Sequence, residues 1–339
     1  MGSRGQPTIN DVAERAGVSK SLVSLVMRGT GSVSPERTAA VLAAAAELGY
    51  RPNAAAKNLV RGRSFVIGVI LSDLHNPFFA DVVDGVDIAA SEAGYRALLS
   101  TGFRVPSREA AAVDTLLQYR VDGLILVGTQ MDAEAIRGAA ASTPVVELAA
   151  RTGVTGVDSI TTNDFVGACL ATEHLLDLGH RRIVHLTGSE GPSAEQRQAG
   201  FEAAMAEAGR GAEMRITTGD FTEEGGAAGI GELFDRNVDL PTAVFASNDF
   251  SAIGAMSALE ERGFSIPGDV SVVGYDNSSL AGLRHIGLTS INQPRHAMGR
   301  IAVEFLVERL DGGRSRARHT VLEPSLMVRQ TTAAPSVRA

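Results

Sequence analysis

Near its start the chain carries apolar residues at helical spacing: Ile9, Val12, Ala13 and Ala16 fall on one face, and Gly17, free to take a positive φ, ends the run. Ser19 caps a second predicted helix in which Leu22, Val23 and Val26 turn toward a core, leaving Lys20, Ser21, Ser24 and Leu25 outward. A third helix is predicted from Ser34 and Pro35, an N-cap followed by proline at the first helical position, through Val41, Leu42, Ala45 and Leu48 to Gly49. Two short helices crossing at a tight turn and closed by a third read as a helix-turn-helix, whose second helix meets base edges. An alanine-rich helical cap on a larger domain has a similar pattern, so the rest of the chain must decide between them.

From Ser64 onward short apolar runs alternate with helical stretches. Strands are predicted at 65–71, 96–100, 123–127 and 145–148, with helices near 77–94, 107–119 and 132–141 between them. A second set follows, with strands near 182–186, 214–217, 243–246 and 270–274 and helices near 165–179, 195–208, 223–235 and 248–262. Each set makes an open, doubly wound parallel α/β sheet, and two sheets imply two lobes. Gly225, Gly226, Gly229 and Gly231 match no phosphate cradle and are read as a weakened helix or loop.

Charge divides the chain at the same place. Residues 1–63 hold nine Lys or Arg against four acids, a net of +5, while the remainder carries −13 within an overall −8. A basic head on an acidic body suits a DNA reader joined to a separate sensing domain. At 339 residues and 44% apolar the chain supports two or three domains. No apolar leader and no run of about 18 apolar residues is present, so a cytoplasmic protein without a membrane is expected. Cys169 is the single cysteine, on a helix face expected to be buried, which excludes an intrachain disulfide. The seven histidines lack metal-ligand spacing, and no GxGxxG turn, Walker loop, GxSxG elbow or HExxH is found, so neither an enzyme nor a cofactor is expected.

The join between head and body, RPNAAAKNLVRGR over 51–63, carries a resemblance: with the helix-turn-helix it makes the chain similar, over essentially its full length, to the LacI/GalR family of bacterial transcriptional regulators. Eight helix-prone residues, 53–60, fall short of the roughly 12 to 15 at which an isolated helix becomes marginal, so this segment needs something to hold it. In the family it forms a hinge helix when paired protomers sit on operator DNA, and a leucine wedges into the minor groove; Leu59 matches that leucine. Phosphate contacts are available from Lys57, Arg61 and Arg63. The resemblance implies a DNA-binding domain at 1–51, a hinge at 52–63, a core at 64–330 and a tail at 331–339. The core consists of two periplasmic-binding-protein-like lobes (64–163 with 293–322, and 164–292 with 323–330). The DNA-contacting set is Thr8, Ser19, Lys20, Ser21, Leu22, Ser24, Leu25, Arg28, Asn53, Ala56, Lys57 and Leu59.

Ligands of such sheets bind outside the carboxyl ends of the strands, so the cleft between the lobes is the place for an effector. After the first strand, Ser72 precedes Asn76 and Pro77, which open a helix. Of Phe78 and Phe79, one is expected in the core and one in the pocket, and the pocket ring is assigned to Phe78. His75 is read as a solvated loop residue. By resemblance Arg197 donates to ligand oxygens, Phe221 packs on the ligand, and Asn248 and Asp276 are polar contacts, a set that suits a sugar or polyol. Asp249 and Asn277 are read instead as local caps.

Two departures from the family stand out. Ala149 or Ala150 replaces an acid common in sugar-sensing members, and Leu22 and Leu25 replace a threonine and an arginine of the recognition helix, which implies a different half-site. The expected protein is a homodimeric regulator, a repressor of a near-palindromic double-stranded operator that responds to a small molecule. A purine-like corepressor is the alternative ligand, and a transporter's solute-binding protein the rival class.

Overall fold

The computed structural model describes residues 7–29, 32–51, 63–235 and 241–336, in two units, Met1–Ser64 and Phe65–Ala339. Asn53, Ala56, Lys57 and Leu59 of the expected hinge lie outside the described residues.

The first unit holds three helices, α1 (Ile9–Ala16), α2 (Lys20–Arg28) and α3 (Pro35–Leu48). Thr8 opens α1 with a capping box: its hydroxyl accepts from the Asp11 amide, and the Asp11 carboxylate accepts from the Thr8 amide at 2.6 Å. Ser19 and Ser34 cap α2 and α3, and Gly17, Gly29 and Gly49 end the three helices in the left-handed region. Val12, Val23 and Val41 are fully buried at the centre with Ala13, Ala44 and Ala45.

Lys20 and Ser21 stand exposed on α2, while Leu22 packs half-buried against the core and Ser24 and Leu25 are also half-buried. The outward face is therefore narrower than the sequence pattern predicts. A nine-residue helix wedged between two others is covered on both flanks, and among its described side chains only those of the first turn are exposed.

The second unit is built on two six-stranded sheets of the same winding. The first contains β1 (Val66–Leu71), β2 (Arg96–Thr101), β3 (Gly123–Val127), β4 (Val145–Leu148) and β5 (Asp158–Thr162), interleaved with α4 (Pro77–Glu92), α5 (Pro106–Gln118) and α6 (Ala133–Ser142). The second contains β6 (Ile183–Thr187), β7 (Arg215–Thr218), β8 (Ala243–Ala246), β9 (Ser271–Asp276) and β10 (Thr289–Asn292), with α7 (Asp164–Asp177), α8 (Pro192–Glu207), α9 (Glu223–Asp235) and α10 (Asp249–Glu261). After β10 the chain returns as α11 (Arg295–Leu310), which packs on α4. It then adds β11 (His319–Leu322) beside β5 and β12 (Ser325–Met327) antiparallel to β10. The strand orders, β2-β1-β3-β4-β5-β11 and β7-β6-β8-β9-β10-β12, are the same pattern twice. The central strands are continuous apolar runs because helices cover both faces.

Of the two readings of the glycine-rich stretch at 225–231, helix or loop, the structure shows the helix. The stretch lies inside α9, and its glycines let backbones touch: a Cβ on Gly226 would overlap the Ser251 carbonyl of α10, and one on Gly254 the Glu223 carbonyl of α9. Gly85 and Gly299 do the same where α4 crosses α11. Gly226→Ala is expected to cost about 2 kcal/mol through overpacking and to lower the core's thermal midpoint by several degrees. An unchanged midpoint in a calorimetric scan would show that the helices can part.

Residues 331–333 of the expected tail run instead along the second lobe. Thr331 is buried, its carbonyl accepts from the Val272 amide, and its hydroxyl donates to the Val272 carbonyl. His180 is buried beneath it, its ring bonded to Thr242, Ser271 and the Ala333 carbonyl. Cys169 is half-buried rather than buried; its thiol donates to the Gly200 carbonyl, and burial pushes it up.

Candidate functional site

In each sheet the strand order reverses beside the first strand, between β1 and β3 and between β6 and β8, and loops leaving those carboxyl ends splay apart to form a crevice. The loops of the two sheets line one cleft. Ser72, Asn76, Phe78, Arg197, Phe221, Asn248 and Asp276 all border it.

Arg197 projects from α8 and is 5% exposed. Its Nε donates to Asp164 Oδ1 at 2.9 Å, its Nη2 lies 2.9 Å from the same oxygen, and its Nη1 donates to the Ser247 carbonyl. The guanidinium stacks on Tyr275, 3.7 Å from the ring centroid, with the Phe221 ring at 5.8 Å. Burial alone would push the arginine down, but Asp164, Tyr275 and Asp276 more than reverse this and raise it, so the charge is permanent. Three of the five guanidinium N–H groups are engaged this way, which leaves two without a hydrogen-bond partner among the described residues.

Asp276 ends β9 at φ 108°, accepts from Gln293 Nε2 at 2.6 Å and lies 3.9 Å from Arg197 Nη1. Gln293 also accepts from the Thr162 hydroxyl at 2.8 Å, so one amide ties two interlobe crossovers to the cleft floor. Asn248 caps α10 by accepting from the Ser251 amide and donates to the Phe221 carbonyl at 3.0 Å. Its part in the cleft is therefore largely to place Phe221. That residue follows Asp220 in a left-handed pair (φ 50° and 58°), and its ring lies so close to Gly188 that a Cβ there would overlap it.

On the first lobe, Ser72 donates to Glu109 Oε1 at 2.9 Å, Thr129 donates to Oε2 at 2.8 Å, and the Gln130 amide donates to the same oxygen. Asn76 caps α4 through Oδ1, at the Phe78 amide. Phe78 is 5% exposed and belongs to the lobe's core, while Phe79, set edge-on to it, is half-buried and borders the cleft as well. The more available ring is thus Phe79, because the proline-led first turn of α4 points Phe78 into the sheet. His75 is exposed and bonds Asp73. Ala149, at φ 55°, and Ala150 form an apolar stretch of the wall.

Asp249 does not cap its own helix. Burial pushes its carboxyl up, while Ser290 and the Ser278 amide donate to it and lock the loop after β9. Asn277 bonds Arg329 and Asn292 in the same loop. His185, stacked between Phe201 and Phe245, is pushed down to about 4 by burial. Below pH 6.5 the unfolded chain takes up this proton and the folded one does not, so the group's contribution to stability fades as pH falls from 6.5 to about 4. Its ring-carbon NMR shifts should stay those of a neutral imidazole from pH 8 to 5; a midpoint near 6.5 would contradict this burial.

Four contributors to the site were not singled out from the sequence. Glu109, Asp164 and Tyr275 are buried behind the cleft, and Arg104 follows β2. Only the last was reachable from sequence, by the rule that ligands sit at strand carboxyl ends. Among the described residues no group of three or more His, Cys, Asp or Glu is placed to hold a metal, and no helix is long and apolar enough to cross a membrane.

Residues 8–53 match the family model of bacterial regulatory proteins, lacI family, and residues 172–332 match a periplasmic binding protein-like domain. The chain is 35% identical over 326 residues to the ribose operon repressor of Haemophilus influenzae, covering 96% of this chain and 98% of that one. The chain belongs to the LacI family.

Solved LacI-family structures agree in fold. The lac repressor dimer bound to operator and the anti-inducer ONPF superposes with a TM-score of 0.84 at 31% identity, over 97% of this chain and all of that one. The complex of transcriptional regulator CelR with cellobiose gives 0.71 at 32% identity, over 96% and 100%. These LacI-family relatives are transcriptional regulators. As a LacI-family member the protein is a DNA-binding transcriptional regulator with a head of three helices and a two-lobed core.

Proposed function

We propose that this regulator is a cytoplasmic homodimeric repressor whose affinity for a near-palindromic operator is changed by a sugar or polyol bound between the lobes. The observation that carries the reading is the donor set of the cleft. Arg197 keeps two N–H groups without a hydrogen-bond partner among the described residues, near the Asp276 carboxyl, and the cleft is also bordered by Ser72 and Thr129, whose hydroxyls donate to Glu109 and can still accept at oxygen. Vicinal hydroxyls, which donate and accept at once, satisfy such a mixture. Both arginines bordering the cleft already have acidic partners, Asp164 and Asp220, which favours an uncharged ligand over an anionic one. An effector that binds one arrangement of the lobes more tightly shifts their equilibrium and, by linkage, operator affinity. A relative that represses a ribose operon and the cellobiose bound to CelR support the same class.

The test is selection of bound fragments from a genomic library at fixed salt, with and without sugars, polyols and purine bases. A palindromic site whose enrichment changes with one sugar or polyol is expected; a response to a purine base alone would move the ligand class. In a second measurement, Leu59→Ala should weaken specific binding at least about 10-fold more than nonspecific binding, since the minor-groove wedge acts only at the kinked site. Equal losses in both would remove the hinge from this account.

A further inference from the structure

The lobes meet directly on the solvent side of the cleft. Arg104, in the loop after β2, donates from Nη2 to Ser189 Oγ at 2.7 Å and to Asp220 Oδ1 at 3.0 Å, and both acceptors belong to the second lobe. The side chains of Arg104 and Asp220 are 25% and 50% exposed, against 6% and 5% for Arg197 and Asp276, so the first pair lies at the mouth and the second at the floor. The backbone is arranged for this contact. Phe103 and Arg104 are at φ 53° and 59°, Asp220 and Phe221 at 50° and 58°, and the Arg104 amide is anchored to the Ser72 carbonyl at 2.8 Å. Consecutive non-glycine residues in the left-handed region are uncommon and cost energy at each position, and here two such pairs face each other across a ligand cleft. The Nε and Nη1 groups of Arg104 have no hydrogen-bond partner among the described residues.

We propose that Arg104 is a specificity residue of the effector site: bonded to Ser189 and Asp220 it bars the mouth of the cleft, so that a ligand of one sugar ring fits beneath it and a longer saccharide must break the bar to bind. The size limit rests on the sugar reading above; the bar itself does not. A single ring closes the lobes with the bar intact, and its outer hydroxyls meet the spare donors of Arg104. A second ring displaces the Arg104 side chain and leaves Asp220 without its partner. Because the bar is a charge-assisted contact in a partly solvated place, its effect is modest and salt-sensitive.

The experiment has two arms on the full chain. Spin labels at Tyr119→Cys on the first lobe and Glu207→Cys on the second, both exposed, with Cys169→Ser and dilution by unlabelled protein, report the lobe separation without any ligand. Arg104→Ala should reduce the population at the short distance about 5-fold, and the swap Arg104→Glu with Asp220→Arg should restore much of it. A distance distribution unchanged in Arg104→Ala would overturn the bar. In the second arm D-ribose, D-glucose and cellobiose are titrated calorimetrically. At least one monosaccharide should bind the wild type about 10-fold more tightly than cellobiose, and Arg104→Ala should shrink that ratio toward unity. Cellobiose bound as tightly as the monosaccharides by the wild type would overturn the size limit. If no sugar binds while the distances respond to Arg104→Ala, the bar stands, and both the size limit and the sugar reading fall.

Discussion

Arg197→Lys should shift the effector concentration needed to change operator binding by at least about 100-fold while leaving effector-free operator affinity near that of the wild type, because a lysine keeps the charge and loses the planar fork. The arginine reaches Asp164, the Ser247 carbonyl and the Tyr275 face together and still has two donors to spare. An ammonium offers three donors from one point and cannot lie flat on a ring. Arg197→Ala is the less clean variant. It strands Asp164, itself buried, without its partner, at a cost of about 3–5 kcal/mol, so loss of response would be mixed with loss of fold. Effector titrations of operator binding by fluorescence anisotropy decide the matter: an unchanged dose response in Arg197→Lys removes the residue from the effector site.

Val23→Asp should abolish operator binding, a loss of more than about 100-fold, without altering the melting of the two-lobed core. Val23 is fully buried at the meeting point of α1, α2 and α3. A carboxylate there has no partner, and its desolvation rivals the whole stability of a three-helix unit of this size, which is a few kcal/mol. The two units are separately compact, so calorimetry should show the core transition in place and the head transition gone. Retained operator affinity would mean that α2 does not need this core.

The fold was legible in sequence wherever a local rule governs it. Ser19, Ser34 with Pro35, and Gly49 mark helix ends because capping is decided within four residues, and the alternation of strand and helix follows from periodicity. The cleft residues could be placed because strand carboxyl ends are set by topology. What escaped depends on pairing across distance. Glu109 looks like any acid on the polar side of α5, yet it is fully buried and orients Ser72 and Thr129. Asp164 and Tyr275 lie 33 positions before and 78 after the arginine they hold. The packing role of Gly226 escapes helix propensity, which weighs only its own helix, whereas here a missing Cβ admits a neighbouring backbone. Phe78 and Phe79 were not separable by pattern, since adjacent rings on a helix differ by about 100° and only the sheet beneath selects one.

The two sides of the cleft differ in how far they can be redesigned. Arg197, Asp276 and Gln293 are wired into the interior of the second lobe and the crossovers, so changing them alters the scaffold along with the ligand. Ala149 and Ala150 have short, inert side chains on the opposite wall, with no bonds to break. A programme to retarget this regulator as a biosensor would start there, where acidic or aromatic substitutions at Ala150 could set a new preference while the switching machinery remains as it is.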